Sequence, residues 1–164
     1  MIATKTVTIE KIIDINIKEV TLLSLEEYEA SKKRIASIGE CIWWLRTPGI
    51  NENDHSVMIV INTQVHKPGA FVDSEIIDVR PAIKFYDMQS SDLNIGESFQ
   101  MAGYRWTVIS KDIALCDDVI GNAKFREGEY CENANNYEDS DVKKFLKKWA
   151  SENGIILKNG NAAI

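Results

Sequence analysis

The apolar run Cys41-Ile42-Trp43-Trp44-Leu45 is followed by Arg46-Thr47 and stopped by Pro48-Gly49, a pair that reads as a turn. Successive side chains of a strand leave opposite faces, so Trp43 and Trp44 both need apolar cover, and the segment is expected to be a central strand. Upstream, residues 5–23 alternate as two strands. Val7, Ile9 and one of Ile12 or Ile13 mark the first, Val20, Leu22 and Leu23 the second, and residues 14–18 connect them. Ser24-Leu25-Glu26-Glu27 has the form of a capping box that opens a helix. Leu25, Tyr28, Ile35 and Ile38 form its apolar stripe, and Gly39 is expected to end it.

Downstream, residues 50–55 are polar and turn-prone, 57–61 are a β-branched strand, 63–69 a second loop, 70–72 a short strand and 79–86 another. Short strands joined by short loops imply an antiparallel meander. Residues 87–94 read as a linker. Phe99 and Met101 against Tyr104, Trp106 and Val108 form a hairpin, 113–116 a further strand, and 121–137 a long polar loop rich in Asn and Glu. Val142, Phe145, Leu146 and Trp149 then repeat at helical spacing behind a cap at Asp139 or Ser140, and Gly154 closes this helix. The expected fold is α+β: one domain over 1–156, with halves 1–86 and 95–156, antiparallel sheets of short strands, two flanking amphipathic helices, and a tail at 157–164.

At 164 residues and 45% hydrophobic content, the chain is long enough to bury a core without disulfides or metals. Its three cysteines, Cys41, Cys116 and Cys131, have no framework spacing and are expected to be thiols, the first two as small core residues in strands. No apolar run approaches a membrane span, so a cytoplasmic protein without a membrane partner is expected. A net charge of −6 opposes direct nucleic-acid binding. Between residues 112 and 141 nine acids stand against two bases, followed by Lys143, Lys144, Lys147 and Lys148. This stretch is either a solvated surface or an acidic patch for a basic protein partner.

Three segments carry a resemblance: Leu22-Leu23-Ser24-Leu25-Glu26-Glu27, Trp43-Trp44-Leu45-Arg46-Thr47-Pro48-Gly49, and Val79-Arg80-Pro81-Ala82-Ile83. They resemble the closing half of an uncharacterised domain family common in Firmicutes and their phages, with pattern LLS-x-x-E, WWLRSPG, GVRPAL. That family is similar to the C-type-lectin and sulfatase-modifying-factor fold. Residues 95–149, with Gly103-Tyr104-Arg105-Trp106-Thr107-Val108, resemble its opening half, so the halves stand in permuted order. The resemblance implies a C-type-lectin-like fold and an association with phage or mobile elements. None of the three cysteines aligns with the catalytic pair of the sulfatase-modifying enzymes, so that activity is not implied.

No triad spacing, phosphate loop or metal motif supports an enzyme, and neither a cofactor nor a metal is expected. Asp117 and Asp118 with Asn133, Asn135, Asn136 and Asp139 have oxygen chemistry suited to Ca²⁺, but solvated loop residues are the plainer reading. Arg46 and Arg80, each beside a proline, either clamp an anionic ligand or satisfy buried carbonyls and a carboxylate. The leading expectation is a non-enzymatic binding module that presents loops to a protein or glycan. The alternatives are an acidic, phage-encoded inhibitor of a host nucleic-acid-binding or defence protein, and an unrecognised enzyme. Candidate partner-binding residues are Asp117, Asp118, Glu127, Glu129, Glu132, Asn51, Asn53, Asp54 and His55. Trp43, Trp44, Arg46, Arg80, Trp106 and Trp149 are expected to be structural.

Overall fold

The computed structural model describes residues 8–9, 16–36, 38, 41–50, 55–86, 93–127 and 132–157. The chain begins with β1 (Thr8–Ile9), β2 (Ile17–Thr21) and α1 (Leu25–Ser31), and α1 runs into a short 3-10 turn at Lys32–Arg34. Next come β3 (Ile42–Pro48), β4 (Ser56–Ile61), β5 (Gln64–Phe71), β6 (Asp78–Val79) and β7 (Ala82–Phe85). The remainder is β8 (Ser98–Met101), β9 (Tyr104–Ser110), β10 (Ile113–Cys116), β11 (Gly121–Asn122) and α2 (Asp141–Glu152). The strands form two sheets, ordered β1-β8-β9-β10-β7-β2 and β11-β6-β3-β4-β5.

β3 is the middle strand of the five-stranded sheet, and its tryptophans divide as the strand period requires. Trp44 enters an apolar cluster with Val57, Ile83, Trp106, Val142 and Leu146, while Trp43 enters a second with Tyr28, Leu45, Met58, Ile109 and Leu115. Each cluster draws on both sheets. The first also draws on residues from both sides of the 87–94 stretch, most of which lies outside the described residues.

Four sequence expectations about strands are corrected. The sheets are two, and both are mixed rather than purely antiparallel, since β1 runs parallel to β8 and β3 parallel to β6. Residues 63–69 are not a loop. Asn62 and Thr63, at φ 48° and 70°, make a two-residue turn, and β5 returns antiparallel to β4. Both turn residues have the positive φ that a two-residue hairpin turn requires, and Asn tolerates it well. The 79–86 strand is divided by Arg80-Pro81, so that β6 belongs to one sheet and β7 to the other. β2 also begins at Ile17, inside the expected connector.

Gly49 shows why the chain must turn where it does. A β-carbon there would lie 2.5 Å from the Pro68 carbonyl oxygen and 2.7 Å from Ser56 Oγ, so only glycine lets the end of β3 cross the β4–β5 hairpin.

The capping box at Ser24 forms as its sequence predicts: Ser24 Oγ accepts from Glu27 N, and Glu27 Oε1 accepts from Ser24 N. The helix is shorter than the stripe suggested. It ends before Ile35, whose backbone is extended, and Ile35 and Ile38 pack on the Trp43 cluster from the segment that follows. In α2 the cap is Ser140, which accepts from Lys143 N. Val142, Leu146 and Ala150 are buried, whereas Phe145 and Trp149 are only partly covered at the edge of the core. Trp149 is thus less covered than Trp43, Trp44 and Trp106, which are buried. Its ring lies 5.9 Å from Tyr104 and 6.3 Å from Trp106. Gly154, at φ 73°, ends the helix. Leu157 bridges Ile17 in parallel, and the rest of the expected tail lies outside the described residues. No helix among the described residues is long and apolar enough to cross a membrane.

Candidate binding cleft

Trp44 organises more than the core. Its indole N–H donates to the Ala123 carbonyl at 2.8 Å, its ring meets Phe125 edge-on at 5.4 Å, and Phe125 in turn lies 6.2 Å from Tyr137. The expected long polar loop at 121–137 is thus anchored by Phe125, Ala134 and Tyr137, all buried, and it opens with the short strand β11. Arg126 braces the same segment from outside. Its Nε donates to Ala134 O at 2.9 Å, and its Nη2 lies 2.5 Å from an Asp139 carboxylate oxygen.

These anchors bring the Asn-rich segment alongside the end of β3. Between them lies a cleft of about 400 Å³, within the range of roughly 300–1,000 Å³ typical of ligand pockets. One wall is Arg46, Thr47 and Pro48 with Ser24, and the other is Asn133, Asn135, Asn136, Tyr137 and Glu138. Asn135 is held by its Nδ2 donating to Ser56 O at 3.1 Å, and Asn136 Oδ1 accepts from Glu138 N at 3.1 Å. Thr47 Oγ1 accepts from Leu25 N at 2.8 Å, which leaves its hydroxyl proton able to donate. The Tyr137 side chain is 6% exposed; its hydroxyl, beside Thr21 and Leu22, lacks a well-formed hydrogen bond. Burial pushes this phenol up to about 12, so it is neutral at physiological pH.

The charges of the cleft are already paired. Arg46 grips Glu27 with both Nη atoms, at 2.6 and 3.0 Å, and also donates to the Leu22 carbonyl. Lys84 adds a second cation 2.9 Å from Glu27. Burial alone would raise the Glu27 carboxyl, but the bonds from Arg46, the Ser24 amide and Lys84 outweigh it and lower it to about 2. Across the cleft Glu138 lies 2.5 Å from Lys143.

Glu27 predicts an acid response with a definite sign. Its carboxylate stabilises the fold fully above its ordinary value of 4.5, and that contribution is lost as pH falls towards about 2. With allowance for partial screening by solvent, about 2 to 3 kcal/mol should disappear over this window. Denaturant titrations from pH 6 to 2 should show that loss in the wild type and a smaller one in Glu27→Gln. Parallel curves would show that the pair contributes nothing.

Arg80 takes no part in the cleft. It is 2% exposed, donates from Nε to Cys116 O at 2.7 Å and from Nη1 to Ala36 O at 3.2 Å, and stacks 5.1 Å from the Trp43 ring. Both motif arginines therefore satisfy carbonyls, and Arg46 also holds a carboxylate.

The described sequence candidates for partner binding each have separate surroundings, and none of them lines the cleft. Asp117 accepts from Thr107 Oγ1 at 2.5 Å and faces Arg105 at 3.2 Å, while Asp118 accepts from the Val119 amide at 2.8 Å. Glu127 and Glu132 are exposed, and the Glu127 amide donates to Asp141. His55 is half-buried just before β4, its carbonyl accepting from Val72 N. Asn51, Asn53, Asp54, Glu129 and Cys131 lie outside the described residues. Among the described residues no group of three or more His, Cys, Asp or Glu side chains is placed to hold a metal ion. Cys116 is a buried thiol of β10, pushed up to about 11 by burial, but Cys41 stands just before β3 and is half-buried rather than a core strand residue. The carboxamides of 133–136 were visible in the sequence as oxygen donors. Their meeting with Arg46, some ninety positions earlier, had no sequence signal.

No known protein family, curated protein or solved structure matches this chain.

Proposed function

We propose that this chain is a non-enzymatic binding module whose recognition site is the cleft between the end of β3 and the Asn133–Glu138 segment. The observation that carries this reading is a cleft of about 400 Å³ whose two charged lining groups, Arg46 and Glu138, are each paired with a neighbour of the fold, the rest of its polar lining being carboxamide and hydroxyl. Such groups offer donors and acceptors that recognise without activating. The cleft is also built on braced elements, as binding requires. The resemblance to lectin-like folds accords with this reading.

The test is a paired screen on peptide and glycan arrays with the wild type and the double variant Asn133→Gly, Asn136→Ser. Glycine suits the φ of 61° at position 133, and serine retains a capping oxygen for the Glu138 amide, so the fold should be kept. Signals should fall at least about tenfold in the variant, a loss of about 1.4 kcal/mol in binding. Equal signals from both proteins, or none from the wild type, would remove the cleft as the recognition site.

A further inference from the structure

Arg46 uses only part of its hydrogen-bonding capacity within the fold. A guanidinium carries five N–H donors in one plane. Nη1 and Nη2 each donate to one oxygen of Glu27, and the second Nη1 proton goes to the Leu22 carbonyl. The Nε–H and the second Nη2–H remain, side by side along the other edge of the plane, and together they form a second fork. Among the described residues Nε makes no hydrogen bond, and it is not one of the buried side-chain atoms that lack a partner, so this edge is open at a residue that lines the cleft. Two hydroxyls of the same wall also keep a proton. Ser24 Oγ accepts from Glu27 N and Thr47 Oγ1 from Leu25 N, so each O–H can still donate.

Resting on the binding-module reading, we infer that the wall formed by Ser24, Arg46 and Thr47 receives a ligand bearing a single carboxylate, seated on the open edge of the Arg46 guanidinium. The wall offers donors, and a carboxylate is a pure acceptor whose two oxygens match the spacing of the fork. The charge balance selects the same group. Glu27 lies 2.6 Å from Arg46 and 2.9 Å from Lys84, so one carboxylate answers two cations, and the half-exposed Glu19 stands 3.8 Å from Lys84. Arg46 thus keeps positive charge to meet an anion. Glu138 on the opposite wall, although held by Lys143, limits that anion to one charge, because a dianion such as phosphate would be repelled by Glu27 and Glu138 together.

The test is a titration of the isotope-labelled protein with N-acetylglycine, N-acetylglycinamide and inorganic phosphate, followed through the Arg46 Nε–H resonance, which is assigned by its loss in Arg46→Lys. The acid should move that resonance and bind at least about tenfold more tightly than its amide, which replaces an anionic oxygen with a donor. Phosphate should bind more weakly than the acid. Arg46→Lys keeps a cation beside Glu27 but lacks the fork, and should weaken the acid at least about tenfold. Should that variant give no folded spectrum, the wild-type comparison of acid with amide decides. Equal binding of acid and amide, an Arg46 resonance that does not move, or tighter binding of phosphate would overturn the carboxylate assignment. In that event array ligands that still depend on Asn133 and Asn136 would leave the binding module standing, whereas silent arrays would overturn both readings.

Discussion

Replacing Arg80 by alanine is expected to lower stability by about 3 to 5 kcal/mol, because the guanidinium is buried and its hydrogen bonds and ring contact are lost together. It donates to carbonyls of β10 and of the segment after α1 and covers the Trp43 ring. Alanine would take this donor from the buried Cys116 carbonyl and leave a void against the indole. In a chain of this length the midpoint of thermal unfolding should fall by roughly 6 to 20 °C. Lysine at the same position retains the charge but lacks the planar fork that reaches two acceptors, and it should recover only part of the loss. Thermal unfolding of the two variants beside the wild type measures this directly. A midpoint within about 3 °C of wild type for the alanine variant would show that the carbonyls find other donors.

A loss of similar size, about 3 to 5 kcal/mol, is expected for Trp44→Ala, and it should reach the cleft as well. Trp44 is fully buried, packs on Phe125 and donates to Ala123, so its removal loosens the segment that carries Tyr137 and the carboxamides. Trp44→Phe separates the two effects. It retains most of the apolar contact yet removes the donor to the partly buried Ala123 carbonyl, which costs about 1 kcal/mol. Trp149→Ala provides the contrast, since that side chain is only partly buried and should cost about 1 to 2 kcal/mol. Equal losses at Trp44 and Trp149 in denaturant titrations would contradict the deeper burial of Trp44.

The elements that could be read from the chain are those whose cause is local. The Ser24 box, the faces of Trp43 and Trp44, the Phe99–Val108 hairpin and the α2 stripe each depend on residues within a few positions of one another. Where reading failed, a distant partner decided the outcome. Gln64 to Phe71 carries a proline, a glycine and mostly exposed residues, yet β4 pairs with it along its length. Arg80-Pro81 looks like the inside of one strand until Cys116 and Ala36 are in place to receive the arginine. The cleft was the least legible of all, because its walls come from residues 46–48 and 133–138, and contacts distant in sequence, Trp44–Phe125–Tyr137 and Asn135–Ser56 among them, bring them together.

Among the described residues β5 is the outermost strand of its sheet, with β4 as its one neighbour there. An open edge of this length is a template on which another chain can polymerise, and natural sheets blunt such edges with proline, lysine and irregular pairing. All three are present: Lys67 and Pro68 lie mid-strand, and the register with β4 shifts between Val57 and Ile59. The residues that disguised this stretch as a loop are therefore the same ones that discourage further strands from adding to it. They discourage amyloid-like growth along this edge of the sheet.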